Sequence, residues 1–207
     1  MANALSNLIC LLYLSYHFFP NLASPDGSRY TEKRKVVAAV YRTTLPSPVG
    51  LLTLASDGTV LTGLWIKGQK YFGSTLDTDA IDTPALPVFL QTAQWLDAYF
   101  EKRPLPTLPP LAPKGSPFRQ AVWQRLMQIP YGETTTYGAL AASLRADGIS
   151  AAAQAVGGAV GHNPILFLIP CHRVLGADGS LTGYAGGVEV KRRLLVLEGA
   201  LGNGNDA

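Results

Sequence analysis

The residues best suited to chemistry lie in the stretch IPCHRV, residues 169–174, where a cysteine stands between a proline and a histidine. An unperturbed cysteine thiol has a pKa of about 8.5, so it is mostly protonated at neutral pH and needs a base to become a nucleophile. His172 is the adjacent candidate base, and Glu198 is a candidate to orient that histidine. These residue types match the nucleophile, base and third group of covalent catalysis.

The pattern leaves two interpretations of this cysteine open. Neighbours in an extended chain point to opposite sides, so contact between Cys171 and His172 requires a turn or a bridging water. A lone pair of this kind is commonly a buried cysteine beside a surface histidine. Asn163, Tyr137 and Tyr184 belong to the surrounding motifs and favour a polar pocket instead.

The first half of the chain has a β pattern followed by a helical one. Residues 36–66 predict two or three antiparallel strands, with Asp57-Gly58 as a hairpin turn. Residues 87–102 predict a helix, because apolar residues recur there at spacings of three and four. The core face expected for this helix consists of Phe89, Ala93, Leu96 and Phe100.

A segment with six prolines between Pro104 and Pro117 marks the best domain boundary. We expect an extended and fairly stiff linker there. The predicted organisation is an extension at 1–35, an N-terminal domain at 36–103, a linker at 104–115, a second domain at 116–200 and a tail at 201–207.

The second half predicts short helices and one buried run. Ser116 caps a helix that carries Phe118, Val122 and Leu126 on one face. Two alanine-rich helices follow, within residues 135–144 and 150–162, and Ser150 is expected to cap the second. Such a pair fits a helix-turn-helix, whose second helix would lie on DNA, although most small helix pairs bind nothing.

The run ILFLIP, residues 165–170, predicts a buried extended segment that delivers Cys171 onto a loop. A last helix is predicted within residues 188–199.

Composition narrows the possible functions. Hydrophobic residues make up 47% of the 207-residue chain and charged residues 15%, which is typical of a folded protein. The net charge of +3 weakly favours an anionic partner. Two cysteines exclude a disulfide framework, and the absence of CxxC or HxxxH spacings argues against a structural zinc site. A reducing compartment, the cytoplasm, is therefore expected.

Residues 1–22 differ from the rest. Their apolar core, residues 8–19, is shorter than the roughly 20 residues that span a bilayer. A secretory signal requires a basic N-terminal region, but no Lys or Arg precedes Arg29. A degenerate signal or a membrane-surface segment remains an alternative. We favour an extension outside the folded domain or an upstream start, and we expect no membrane partner.

Three segments resemble one family closely. YGETTTYGALA (131–141), AVGGAVGHNP (155–164) and NPILFLIPCHRVLGADGSLTGYAGGVEVKRRLLVLEG (163–199) resemble the O6-alkylguanine-DNA alkyltransferases, or methylated-DNA-protein-cysteine methyltransferases. The resemblance covers residues 116–199 strongly and about 36–103 weakly. It implies an α+β fold, with a small ribonuclease-H-like N-terminal sheet domain followed by a mainly helical domain that contains a helix-turn-helix.

The resemblance implies a role for each matching residue. It makes Cys171 the alkyl acceptor, with His172 as its base through a water, Glu198 holding the imidazole and Asn163 bracing the active-site turn. By the same resemblance, Tyr137 contacts the guanine ring, and the backbone of Cys171 and Val174 accepts hydrogen bonds from its exocyclic amine. The loop over the alkyl group consists of Tyr184, Ala185 and Gly186. The residues implied to contact DNA are Thr136, Gln154 and Ala155.

The implied activity is stoichiometric transfer of an alkyl group from O6-alkylguanine, and also from O4-methylthymine, in double-stranded DNA. The target base must be flipped out of the duplex. The thioether product has no route to hydrolysis, so each molecule reacts once, and no cofactor or metal is expected. We expect a monomer, and the range of accepted alkyl groups stays open.

The sequence departs from the family pattern at the DNA-binding helix. Gln154 stands where the family often carries an arginine finger, so weaker DNA affinity with preserved flipping is expected. The loop RADGI, residues 145–149, is longer than in compact members, and the zinc ligands that some members carry in the N-terminal domain are absent.

Two other functions compete with this one. A non-catalytic lesion-binding protein of the alkyltransferase-like type would share the pocket but lack the cysteine, which is present here. A cysteine hydrolase would turn over on an ester or amide, and the adjacent placement of Cys171 and His172 disfavours it.

Overall fold

The computed structural model describes residues 39–202. The predictions for the extension at 1–35 and for residues 203–207 of the tail lie outside these described residues. Among residues 39–202, none of the helices combines the length and apolar character required to cross a membrane.

A four-stranded sheet forms the N-terminal part. Its strands are β1 (Tyr41–Ser47), β2 (Gly50–Ser56), β3 (Leu61–Ile66) and β4 (Ile81–Asp82), arranged in the order β3-β2-β1-β4. β1 and β2 are antiparallel, as are β2 and β3, while β4 runs parallel to β1. The prediction of antiparallel strands is confirmed. Every residue of β3 is buried, so this edge of the sheet packs against the rest of the protein.

The predicted hairpin turn between β2 and β3 is also confirmed. The carboxylate of Asp57 accepts hydrogen bonds from the backbone N–H groups of Thr59 and Val60 at 2.9 and 3.0 Å. Gly58 has a φ of +107°, in a region that residues with a Cβ rarely adopt. Local turn chemistry therefore forms this connection.

Helix α1 (Pro87–Phe100) covers the sheet, and its buried face differs from the predicted one. Phe89 and Leu96 are buried as expected, but Ala93 and Phe100 are only partly buried. Trp95 and Tyr99 take the interior positions instead, at 5% and 0% exposure. The aromatic side chains reach further from the helix axis, and they fill the space between the two halves of the chain.

The proline-rich segment pairs with the sheet. The backbone N–H of Leu61 donates to Pro110 O at 2.8 Å, and that of Ala112 donates to Leu61 O at 2.9 Å. The segment is therefore held along β3 at this point, rather than acting as a free spacer.

Helix α2 (Pro117–Leu126) begins as predicted. The Ser116 hydroxyl accepts a hydrogen bond from the backbone N–H of Arg119 at 3.3 Å, and Pro117 occupies the first turn. Val122 and Leu126 are buried, while Phe118 is partly buried. The indole N–H of Trp123 donates to Ala159 O at 2.9 Å and ties α2 to the second alanine-rich helix.

The two alanine-rich helices are α3 (Tyr137–Ala146) and α4 (Ala153–Gly161). They pack against each other and against α2. The prediction that Ser150 caps the second helix is wrong. Helix α4 begins three residues later, with Ala152 as its N-cap and no side-chain cap. Ala151 is buried in the core and Ala152 is still extended, with φ −99° and ψ 149°, so the chain becomes helical only at Ala153.

The prediction of an extended run at residues 165–170 is wrong, although the run is buried. Ile165 forms a single parallel bridge with Leu64 of β3, and the chain then turns through Phe167, whose φ is +66°. A short 3₁₀ turn (Cys171–Arg173) follows, so Cys171 begins a turn of helix rather than lying on a loop. Strand β6 (Val174–Leu175) then pairs in parallel with β5 (Thr135–Thr136).

The last element is helix α5 (Val188–Leu197), which confirms the predicted C-terminal helix. It ends at Glu198, and Gly199 follows with a φ of +76°. A left-handed glycine after the last turn is a common helix stop. The position of Glu198 is therefore set by the end of a helix.

The caps allow a direct test of local stability. The Ser116→Ala variant is expected to lower the free energy of unfolding by about 1 kcal/mol, because it leaves an N–H of the first turn without its acceptor. Urea denaturation followed by circular dichroism measures this change.

Ser150→Ala is the matched control, since Ser150 is exposed and precedes the start of α4. It is expected to stay within about 0.5 kcal/mol of the wild type. An equal loss in both variants would contradict the capping assignment.

Candidate active site

Asn163 organises the segment that carries the cysteine. Its side-chain N–H₂ donates to Ile169 O at 2.8 Å and to the Cys171 sulfur at 3.1 Å, and its Oδ1 accepts from the N–H of Ile165 at 3.0 Å. Asn163 is buried, so these bonds are protected from water. One amide side chain therefore closes the irregular turn from 165 to 171 and contacts the sulfur directly.

The Cys171 thiol is buried, with 2% exposure. Burial raises the pKa of this thiol to about 11, against the opposing effects of the Asn163 hydrogen bond and the charge of Lys191. The sulfur is consequently protonated at neutral pH. A reaction through the thiolate needs a base that takes the proton as the bond forms.

His172 follows Cys171 in the 3₁₀ turn, and its side chain forms no direct hydrogen bond with the thiol. Its Nε2 is 2.7 Å from Glu198 Oε1, while its Nδ1 is buried without a hydrogen-bond partner among the described residues. A nitrogen that faces a carboxylate carries the hydrogen, which leaves the lone pair of Nδ1 free to accept a proton. Complete burial lowers the pKa of His172, and the imidazole is therefore neutral at pH 7.

The carboxylate of Glu198 is the most heavily bonded group of the site. Oε1 accepts from the Tyr99 hydroxyl at 2.6 Å, and the Arg173 guanidinium donates to Oε2 at 2.7 Å and to Oε1 at 3.0 Å. The N–H of Gly132 approaches Oε2 at 3.4 Å. Burial alone would raise the pKa of Glu198, but the hydrogen bonds from His172 and Arg173 outweigh it and lower the pKa to about 2.

Tyr137 reaches the same region from the start of α3. The β5–β6 pairing sets Thr135 opposite Val174, which brings Tyr137 beside the active-site turn. Its hydroxyl donates to Thr182 O at 2.9 Å. Burial and the neighbouring Cys171 raise the pKa of this phenol, so it stays a hydrogen-bond donor.

Lys191 is a buried cation that the sequence analysis missed. Its side chain is fully buried on α5, and its Nζ donates to Val174 O at 2.5 Å and to Thr182 O at 2.8 Å. Burial lowers the pKa of Lys191 to about 8, while Cys171 acts in the opposite direction. A signal for its burial was present in the sequence. Lys191 lies three and four residues before the buried Leu194 and Leu195, and residues at these spacings share one face of a helix.

The loop predicted to cover the alkyl group packs tightly. Tyr184 is buried, and its ring meets the His172 ring edge-on at 6.4 Å between centroids. A Cβ at Gly186 would lie 2.7 Å from the Tyr184 ring and 3.0 Å from Ile66. Only glycine fits this approach of the loop to strand β3.

A cleft of about 320 Å³ adjoins this loop and helix α4. Ala185 and Tyr184 line it on one side, and His162 lies on the other. The segment after β3 closes it, because the N–H of Lys70 donates to Ala185 O at 3.1 Å and the Tyr71 ring stacks on His162 at 4.0 Å. Residues of the N-terminal part thus form one wall of the cleft, which the sequence analysis did not anticipate.

The residues predicted to contact DNA lie on the helix pair. Gln154 and Ala155 are exposed on the first turn of α4. Thr136 is partly buried and is the N-cap of α3, where its hydroxyl accepts from the N–H of Ala139 at 3.1 Å. In this structure Thr136 therefore has a capping role, and its contact with DNA stays a prediction.

Two family models match the chain. Residues 40–113 match the 6-O-methylguanine DNA methyltransferase ribonuclease-like domain, and residues 117–200 match the 6-O-methylguanine DNA methyltransferase DNA-binding domain. Together they cover most of residues 39–202.

Individual proteins are similar over the same region. The methylated-DNA–protein-cysteine methyltransferase of Mycobacterium tuberculosis is 45% identical over 159 residues, which is 77% of this chain and 92% of that protein. The protein of the same name from Haemophilus influenzae is 44% identical over 78% of this chain and 88% of its own length. The crystal structure of M. tuberculosis OGT in complex with DNA matches with a TM-score of 0.69 at 44% identity, covering 77% of this chain and 93% of that one.

The Glu198 cluster predicts how stability depends on pH. A carboxyl with a pKa near 2 in the folded protein and near 4.5 when unfolded stabilises the fold above about pH 4.5 by roughly 3 kcal/mol, and this is lost as pH falls towards 2. The lowered pKa of His172 acts in the same direction, since the folded state resists its protonation. Urea denaturation between pH 7 and pH 2.5 should show this decline.

Glu198→Gln is expected to be less stable at pH 7, because Arg173 is left without its anionic partner, and to have a shallower pH dependence. Glu189→Gln removes an exposed carboxyl at the start of the same helix and should retain the wild-type profile. A wild-type profile in Glu198→Gln would contradict the assignment.

Proposed function

Because the chain belongs to the 6-O-methylguanine DNA methyltransferase family, whose members repair DNA by moving an alkyl group to one of their own cysteines, we propose that Cys171 is the acceptor. The activity is direct-reversal repair by a single-turnover methyltransferase that binds DNA. The observation that carries the assignment is the position of Cys171, whose buried thiol contacts Asn163 and which is followed, in the same 3₁₀ turn, by a neutral histidine with a free Nδ1.

The first step of the proposed reaction is removal of the thiol proton. The S–H bond of Cys171 breaks, the sulfur keeps the electron pair, and the proton passes through a bridging water to Nδ1 of His172. Glu198 accepts from Nε2 and stabilises the imidazolium that forms. The high pKa of the thiol and the low pKa of the histidine mean that this transfer occurs only as the sulfur attacks.

The second step is displacement at the alkyl carbon. The sulfur forms a bond to that carbon while the bond to O6 of guanine breaks, and the base leaves with the electron pair. This reaction at a saturated carbon requires no oxyanion hole, and its thioether product is stable. Cys171 is therefore alkylated permanently, which agrees with the single turnover of the family.

The leaving base gains negative charge that a donor must stabilise. We assign this role to the Tyr137 hydroxyl, which would turn from Thr182 O to the guanine ring. Thr182 O would keep its hydrogen bond from Lys191, so this carbonyl is not left unpaired. Val174 O has a second lone pair beyond its bond to Lys191, and with the Cys171 backbone it is proposed to accept from the exocyclic amine.

The proposed substrate is double-stranded DNA that contains O6-alkylguanine, with O4-methylthymine as a second substrate. The lesion must leave the base stack to reach a buried sulfur, which costs a few kcal/mol. Exposed Gln154 and Ala155 on α4, with Thr136 at the start of α3, are the proposed DNA contacts. Tyr184, Ala185 and Gly186 are proposed to enclose the alkyl group.

We also propose that the protein acts as a monomer in the cytoplasm, where a free thiol stays reduced. The proposed domains are residues 36–103 and 116–200, joined by 104–115. The sheet with α1 supports the first domain, and helices α2–α5 support the second.

A lesion-binding protein without transfer activity is the alternative from another class. The buried acceptor thiol beside a base argues against it, since such a protein needs neither group.

Mass analysis of peptides tests the acceptor. After incubation with an excess of duplex that contains O6-methylguanine, the Cys171 peptide should gain one methyl group in at most stoichiometric amount. The Cys10 peptide of the same sample should stay unmodified. Tight lesion binding with an unmodified Cys171 peptide would contradict the assignment.

The Cys171→Ala variant separates transfer from binding. It is expected to abolish transfer and retain affinity for the methylated duplex, because the DNA contacts lie elsewhere. Loss of binding together with transfer would mean that the nucleophile has been misplaced.

The Gln154→Arg variant tests the DNA-binding helix. It is expected to tighten duplex binding by about 1 kcal/mol, roughly fivefold at low salt, because an arginine adds a charged donor at the nucleic acid. Gln94→Arg, on the exposed face of α1, adds the same charge away from the helix pair and controls for net charge. Binding that weakens in Gln154→Arg, or tightens equally in both, would contradict the placement of α4 on DNA.

A further inference from the structure

Helix α1 of the N-terminal part sends one polar group into the active site. Tyr99 is completely buried, and its ring stacks on Trp95 with 5.3 Å between centroids. Phe100 and Phe167 pack around the same ring at 5.3 and 6.4 Å. These aromatic neighbours hold the ring in place, so its hydroxyl has a defined direction that does not depend on the group it meets.

The Tyr99 hydroxyl shares one carboxylate oxygen with the histidine. It donates to Glu198 Oε1 at 2.6 Å, and His172 Nε2 lies 2.7 Å from that same oxygen. The hydroxyl oxygen and Nε2 are 3.4 Å apart, so a direct hydrogen bond between them is much longer and weaker than the two short bonds to Oε1. No step of the proposed alkyl transfer uses this hydroxyl, although it lies as close to the carboxylate as the histidine does.

A shared oxygen couples the two donors. A hydrogen bond donated to a carboxylate stabilises its charge and reduces the electron density available to a second donor on that oxygen. The Glu198 carboxylate therefore stabilises the imidazolium of His172 less strongly when the Tyr99 hydroxyl is present. Burial and the adjacent Glu198 raise the pKa of Tyr99 far above its usual value, so the hydroxyl always acts as a donor.

We infer that Tyr99 is a positioning residue of the reaction, which acts through Glu198 to limit how readily His172 takes up and holds a proton. This inference rests on the proposed roles of Cys171 and His172. It makes the N-terminal domain a functional part of the proton-transfer network, because the hydroxyl comes from α1 while the carboxylate and the imidazole belong to the other half of the chain.

Other titratable groups also face this network and must stay constant in a test. They come from the 3₁₀ turn, from α5 and from two loops: Cys171, Arg173, Lys191, Tyr131 and Tyr184. Arg173 is the strongest of these, since it bonds both carboxylate oxygens. A change confined to the Tyr99 hydroxyl leaves all five in place.

The experiment measures the rate of single-turnover methyl transfer from a duplex with O6-methylguanine between pH 5 and pH 9. The wild-type rate should fall at acid pH as His172 becomes protonated and unable to accept the thiol proton. In Tyr99→Phe this acid limb should move to higher pH by about half to one unit, because Glu198 then stabilises the imidazolium more strongly. The plateau rate at high pH should stay within about threefold of the wild type.

Tyr131→Phe is the matched control. It removes the same single oxygen from a neighbouring aromatic ring, but the Tyr131 hydroxyl donates to the backbone oxygen of Leu197 at 3.3 Å instead of to the carboxylate. Its acid limb should coincide with that of the wild type.

A second variant covers the case in which Tyr99→Phe does not fold. Replacement of Tyr99 by 3,5-difluorotyrosine keeps the ring and the hydroxyl but makes the phenol a stronger donor. The acid limb should then move to lower pH, opposite to the shift in Tyr99→Phe, a reversal that a purely structural role would not produce.

The outcomes are distinguishable. A shift of the acid limb to higher pH in Tyr99→Phe supports the inference, and so does a shift to lower pH in the difluorotyrosine variant, which is decisive by itself if Tyr99→Phe does not fold. An unshifted acid limb overturns it, whether the rate is unchanged or uniformly lower at all pH values. If the wild type itself leaves Cys171 unmethylated, the proposed acceptor fails, and that result is seen before any Tyr99 variant is measured.

Discussion

The structure depends on the burial of one carboxylate. A buried anion is strongly unfavourable unless charge and hydrogen bonds compensate it, and Glu198 receives them from Tyr99, Gly132, His172 and Arg173. Each donor belongs to a different part of the chain or to the active-site turn itself. The carboxylate can be accommodated only when helix α1, the turn at 131–132 and the end of α5 are all in place, so the same cluster joins the two halves of the fold and orients the His172 imidazole.

The thiol is held by an irregular segment rather than by regular structure. Asn163 closes the turn that precedes Cys171, and the bridge between Leu64 and Ile165 attaches that turn to the sheet. Because burial raises the pKa of this sulfur to about 11, Cys171 is a neutral thiol at pH 7. A protein that uses its nucleophile once benefits from low reactivity until the substrate and the base act together.

The predictions from sequence succeeded where a signal is local. The Asp57-Gly58 turn and the Ser116 cap depend on residues within three positions of each other, and both are present. They failed where packing decides. Ser150 does not cap α4, which begins only at Ala153 after the buried Ala151 and the extended Ala152. Residues 165–170 turn through Phe167 although their composition favours a strand. β-propensity describes a fit to a pleated surface. This segment pairs with β3 only around Ile165 and then turns away at Phe167.

The sequence by itself determined the family, the antiparallel strands β1–β3, the helices α1–α5 and the residues of the reactive motif, because these follow from residue types at short spacings and from the IPCHRV pattern. Only the tertiary structure decided that Tyr99 and Lys191 belong to the site. Both looked like members of amphipathic helices, and nothing local distinguishes a buried tyrosine in the core from one whose hydroxyl meets a carboxylate 99 residues away. Such contacts arise when separate elements pack, and the pairing of polar groups that they bury together is a property of the folded chain.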